Sequence, residues 1–124
     1  MIFEKKKQLI LLVEDNDSIR EALAGALEYV GYLVVTARNG QEALTLLEKD
    51  PLPLIIFIDL MMPVLDGFEF REKKKLNPRL KNIPTIIASA KTNLEKIERM
   101  PNESFLSKPF ELNDLLSLIK KYCD

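Results

Sequence analysis

A chain of 124 residues, 47% hydrophobic and 30% charged, has the size and composition of one globular domain with a substantial core. Its net charge of −1 gives no global field for nucleic acid or an anionic membrane, and its apolar runs are too short to span a bilayer. It has no histidine and a single cysteine, Cys123, which excludes Ser-His and Cys-His catalysis, His-containing zinc sites and any internal disulfide.

The lack of a disulfide suits a reducing cytoplasm. A bound metal must use oxygen ligands, which selects Mg²⁺, Ca²⁺ or Mn²⁺. Residues 1–7 read as an N-terminal tail. Its run Lys5–Lys7, like Lys73–Lys75, reads as a solvated face. Gln8–Val13 is nearly continuous apolar sequence, the pattern of a strand buried on both faces. Acids follow it where a signal peptide would carry a small-residue cleavage site.

Ile19, Leu23, Ala26, Leu27 and Val30 then share one helical face, with Ser18 and Glu21 as a capping box and Gly31 as the stop. Tyr32–Thr36 is a second strand. Asn39 and Glu42 open a second helix carrying Ala43, Leu44 and Leu47, which ends before Pro51. Leu54–Ile58 is a third strand. Asp66 and Gly67 open a third helix that runs to about Leu76, ahead of Pro78. That helix reads "GFEFREKKKL", with Arg71 and Lys74 where an inward apolar stripe belongs. It is expected to pack loosely or to bury only aliphatic stems.

Thr85–Ala88 is a fourth strand. Thr92 with Glu95 starts a fourth helix, which Pro101 limits to about two turns. Ser104–Ser107 is a fifth strand, and Glu111–Tyr122 a last helix with Leu112, Leu115, Leu116 and Ile119 inward. The strict alternation predicts a single doubly wound (βα)5 domain: a parallel sheet of five strands, flavodoxin-like, with helices on both faces.

In such folds the functional crevice lies beyond the carboxyl ends of the strands. Glu14 and Asp15 end the first strand, Asp59 the third, Ser89 the fourth and Lys108 the fifth. Singly, Asp15 also reads as a helix cap, Ser89 as a turn hydroxyl and Lys108 as a solvated surface residue. Asp59, at the end of "IIFID", has no evident capping duty. Converging on one edge, three carboxylates become tolerable if a divalent cation and Lys108 neutralise them.

These residues resemble the receiver (CheY-like) domains of two-component response regulators. The likeness covers the whole chain: "VEDND" resembles the family's acidic pair, "IDLMMPVLDG" its phosphoacceptor stretch, "ASA" its Ser/Thr-Ala step and "KPF" its lysine-proline pair. The resemblance implies strand order 2-1-3-4-5, a domain over residues 1–124 with no output domain, and a cytoplasmic signalling switch rather than a metabolic enzyme. It implies that Asp59 takes a phosphoryl group from the phosphohistidine of a histidine kinase or histidine phosphotransfer protein, and that the domain catalyses this transfer and its own dephosphorylation. Mg²⁺ or Mn²⁺ would be held by Asp15 and Asp59 directly, by Glu14 through water and by the backbone carbonyl of Met61. Lys108 and Ser89 would contact the phosphoryl group. A cis Lys108–Pro109 peptide is also implied.

The family couples movement of the hydroxyl, here Ser89, to an aromatic on strand five, here Phe105. The face of helix four, strand five and helix five would change for a downstream protein target, in a monomer or a weak phosphorylation-dependent dimer, without direct contact to nucleic acid or membrane. Phe105 reads equally as core, and lacks the hydroxyl that a tyrosine would bring. Met61 and Lys91, each two residues beyond a site residue, are expected to tune phosphoryl lifetime. "RMPNES" departs from the family's Gly-Ala-containing turn before strand five.

Three other readings compete. An aspartyl phosphatase would want a second acid two residues after Asp59, where Met61 stands. A flavin module would need phosphate-cradling donors after strand one, where "EDND" repels phosphate. A receiver-like interaction module working without phosphorylation is the third.

Overall fold

The computed structural model describes residues 8–62 and 64–123. The 1–7 tail with Lys5–Lys7, Pro63, Asp124 and the Cys123 side chain lie outside the described residues. Five strands alternate with five helices: β1 (Leu9–Val13), α1 (Asp17–Tyr29), β2 (Leu33–Ala37), α2 (Gly40–Leu46), β3 (Ile55–Asp59), α3 (Gly67–Lys75), β4 (Thr85–Ala90), α4 (Lys91–Glu95), β5 (Glu103–Lys108) and α5 (Leu112–Cys123). All sheet pairs are parallel, in the order β2-β1-β3-β4-β5. The parallel sheet is the one the alternation predicts, and the flavodoxin-like strand order is the one the resemblance implies.

Continuous apolar strands follow from a sheet covered twice. Leu11, Val13, Ile56, Ile58 and Ile87 face a core closed by Ala43, Leu47, Phe70 and Leu94, from the α2, α3 and α4 side. Ile10, Leu12, Ile55, Phe57 and Ile86 face the other core, closed by Leu27 of α1 and by Leu115 and Ile119 of α5. Alternate residues of one strand therefore serve two separate cores.

Helix starts differ from expectation in two places. α1 is capped by Asn16, whose side chain accepts from the Ile19 amide at 2.9 Å, rather than by Ser18. "NDS" offers three capping residues in a row, and the first wins because the chain turns directly off β1. Ile19 and Val30, at the two ends of the helix, are 44% and 49% exposed, while Leu27 is fully buried. α4 begins at Lys91 with Ala90 as a cap that supplies no side-chain bond, so Thr92 lies inside it. The cause is β4, which continues to pair through Ala90↔Lys108 before the chain turns. Asn39 and Asp66 cap α2 and α3 as expected, accepting from the amides of Glu42 and Glu69. In α5, Leu115 and Ile119 are inward, but Leu112 is 38% exposed because it opens the helix.

α3 neither packs loosely nor buries stems alone. Arg71 and Lys74 are each 6% exposed. The Arg71 guanidinium donates to both carboxylate oxygens of Glu103 at 2.7 Å and to the Glu98 carbonyl at 2.6 Å. Glu103 also accepts from the Met100 amide at 2.9 Å. The turn that replaces the Gly-Ala pattern thus supplies the acid that makes a buried arginine tolerable. A bidentate pair of this kind is costly to break singly, because either partner alone is left charged in the core.

Glu103→Ala is accordingly expected to destabilise the fold by about 3–5 kcal/mol, whereas Arg71→Met with Glu103→Leu is expected to lose far less. Urea titrations of the two variants check this.

Candidate functional site

Glu14 and Asp15 follow directly from β1, and Asp59 is the last residue of β3, its neighbour in the sheet. One oxygen from each of these three carboxylates falls in a group within 4.8 Å of one another. Glu14 and Asp59 are buried, and Asp15 is exposed. The Lys108 ammonium, arriving from the end of β5, donates to Asp59 Oδ2 at 2.6 Å and lies 3.8 Å from Glu14 Oε1.

Backbone amides hold the acids in place. Asp59 Oδ1 accepts from the Met61 amide at 3.1 Å, and Glu14 Oε2 accepts from the Asn16 amide at 3.1 Å. Glu14 Oε1 is buried and has no hydrogen-bond partner among the described residues. A distance of 3.8 Å to Lys108 gives charge attraction but not a hydrogen bond. A buried carboxylate oxygen without a partner, on one of three clustered carboxylates, fits an oxygen-seeking divalent cation. The donor set therefore suits Mg²⁺ or Mn²⁺.

The electrostatics agree. Desolvation raises the Glu14 pKa above the ordinary 4.5, helped by Asp15 and Asp59, while the Asn16 amide and Lys108 oppose the rise. For Lys108, burial works against the charge, but the hydrogen bond to Asp59 and the charges of Asp59, Glu14 and Asp15 outweigh it and raise its pKa.

Leu60 and Gly67, which flank the loop after β3, approach each other closely. The Gly67 amide donates to the Leu60 carbonyl at 2.9 Å, and a Cβ on Gly67 would stand 2.7 Å from the Leu60 Cα. Only glycine permits that approach. Met61 itself is 57% exposed, with its side chain outside the carboxylate group.

Ser89 is buried near the end of β4, and its Oγ accepts from the Asn93 side-chain amide at 3.1 Å. Phe105 is half-buried against the α2, α3 and α4 core, and the Arg99 guanidinium sits 4.8 Å from its ring centroid. The Lys108–Pro109 peptide is cis. Asn93 and Arg99 were not among the residues marked by sequence. Asn93 carries a faint signal, an amide four residues after the hydroxyl in a helical segment. Arg99 carries none, since its stacking depends on how the turn before β5 folds.

Residues 10–120 match the response regulator receiver domain family, and the chain belongs to it. It is 35% identical over 116 residues to Protein PilG of Pseudomonas aeruginosa, covering 91% of this chain and 85% of that one. With the response regulator receiver protein CpdR of Brucella abortus it shares 39% identity over 114 residues, covering 90% of this chain and 93% of CpdR. The crystal structure of the chemotaxis response regulator CheY4 of Vibrio cholerae superposes with a TM-score of 0.83 at 30% identity, covering 94% of this chain and 99% of that one. Among the described residues no helix is long and apolar enough to cross a membrane.

The raised Glu14 pKa fixes the sign of a pH effect. Between 4.5 and the higher folded value, the native state binds the proton more than the unfolded state does, so this group's contribution to stability falls as pH rises. In buffer free of divalent cations, the stability of wild type relative to Glu14→Gln is expected to decrease as pH rises from 4.5 toward the raised folded-state value. Paired urea titrations across that range check the trend.

Proposed function

We propose that the domain is a phosphorylation-dependent switch in which Asp59 accepts a phosphoryl group from a phosphohistidine on a partner protein. The observation that carries this reading is the Asp59–Lys108 contact at 2.6 Å beside a carboxylate pair with an orphaned oxygen. The chain has no histidine of its own, so the donor comes from elsewhere. An Asp59 carboxylate oxygen attacks phosphorus, and the bond from phosphorus to the donor imidazole nitrogen breaks with its electron pair returning to that nitrogen. Positioning and charge neutralisation then make up most of the catalysis.

Asp15 and Asp59, with Glu14 through water and the Met61 carbonyl, would hold Mg²⁺ or Mn²⁺, which would supply positive charge to the phosphoryl oxygens. Lys108 moves from the free carboxylate to a phosphoryl oxygen as a point charge. The Ser89 Oγ already accepts from Asn93, so its own proton is the one available to donate to the phosphoryl group. That movement biases Phe105, whose ring Arg99 covers, and with it the face built from α4, β5 and α5 that a target protein reads. Met61 and Lys91 flank the acceptor and control water access during dephosphorylation.

A histidine kinase or histidine phosphotransfer protein is the donor that this chemistry calls for. Among similar solved structures is the receiver domain of a signal transduction histidine kinase from Syntrophus aciditrophicus, 31% identical with a TM-score of 0.82, which supports that pairing.

Intact-mass measurement after incubation with acetyl phosphate tests the proposal. One phosphoryl group is expected on wild type with Mg²⁺, and none with chelator or on Asp59→Asn. No mass change with acetyl phosphate or with a phosphorylated histidine kinase would overturn it, in favour of an interaction module that works without phosphorylation.

A further inference from the structure

At the opposite end of the sheet from Asp59, the last turn of α3, the segment before β4 and the start of β5 enclose a cavity of about 260 Å³. That is room for roughly nine waters. Arg71, Lys74, Lys75 and Lys81 bring four positive charges to its wall, and Glu103 brings one negative charge. Glu103 is already committed, since its oxygens accept from the Arg71 guanidinium and from the Met100 amide.

Lys74 is in a different position. Its side chain is buried, and among the described residues its ammonium makes one hydrogen bond, to the Lys81 carbonyl at 3.2 Å. An ammonium has three donors, and one neutral carbonyl does not offset a buried charge. Burial accordingly lowers the Lys74 pKa from the ordinary lysine value, with the charge of Glu103 resisting. Lys75 and Lys81 are exposed at the rim, while Met100 and Pro101 contribute apolar wall. A cleft lined by one sign of charge concentrates the opposite ion.

We infer that this cavity binds a small oxyanion, a phosphate or carboxylate group on a compact organic body, with the Lys74 ammonium donating to the anion and Lys75 and Lys81 closing around it. The ligand would supply a charged acceptor beside the Lys81 carbonyl and would balance the excess charge of the wall. Its body would lie against Met100 and Pro101. This site is separate from the acidic one and does not depend on phosphorylation of Asp59.

Amide NMR titration of the full chain at constant ionic strength, with inorganic phosphate and with phenyl phosphate against a chloride control, tests the inference. Saturable shifts are expected at Lys81, Asn82, Met100 and Asn102, at lower concentrations for phenyl phosphate than for inorganic phosphate. Lys74→Met should weaken the affinity about tenfold or more. The exposed pair Lys75→Glu and Lys81→Glu should weaken it comparably in a variant whose core is untouched. Shifts that fail to saturate, that persist unchanged in the variants, or that gather only around Asp59, Ser89 and Lys108 would overturn the site. Equal affinity for the two phosphates would overturn the organic body.

Discussion

The contact between Lys108 and Asp59 constrains much of the rest. Strands lie about 4.8 Å apart, and β5 is two strands away from β3, so the ammonium must cross roughly 9.6 Å of sheet edge to reach its carboxylate. The lysine stem, the aspartate side chain and the hydrogen bond between them span that distance together, provided that β4 places nothing bulky in between. The end of β4 reads Ala88, Ser89, Ala90, three small residues. The sheet order is equally bound to this contact: β1 must neighbour β3 for Glu14 and Asp15 to share the charge, and the switch point between them opens the crevice where the acids meet.

β5 is where the chemistry of the domain and its stability meet. Its first residue, Glu103, locks onto Arg71 of α3; its third, Phe105, carries the Arg99 guanidinium; its last, Lys108, neutralises the acids. Three electrostatic contacts at three levels of one six-residue strand connect α3, the turn before β5 and the acidic edge. On the other face of the sheet, Ser104 and Tyr122 share a hydrogen bond that ties the strand to α5.

The parts legible in the sequence were those whose causes are local. Near-continuous apolar strands announced a sheet covered on both faces, and Asn39 and Asp66 each stood three residues before a glutamate, so their helices began where expected. Asn16, Asp17 and Ser18 defeated the same rule, because three capping residues in succession leave the choice to the direction in which the chain leaves β1. Glu14, Asp15, Asp59 and Lys108 meet at one edge because strand ends converge in a parallel sheet whatever the loops do, and Ser89 stands near the end of the strand between β3 and β5. Arg71 was misread because its partner is 32 residues away in sequence, across the sheet topology. Lys74 was misread for a related reason, since its acceptor is a backbone carbonyl that no side-chain pattern marks. Arg99 over Phe105 depends on the path of the turn before β5, where Asn102 adopts φ 66°.

The Arg71–Glu103 pair also bears on how freely segments of this fold can be exchanged. Receiver domains share an architecture closely enough that joining the first half of one to the second half of another is an obvious way to build a hybrid. In this chain such a junction, placed anywhere between α3 and β5, separates the two members of a buried bidentate pair. A graft without an acid at position 103 leaves a guanidinium sealed in the core with only the carbonyl of residue 98 to meet it. The segment that carries α3 and the segment that carries β5 are therefore not independent modules here. They are joined by a charge that neither half of the chain can accommodate alone.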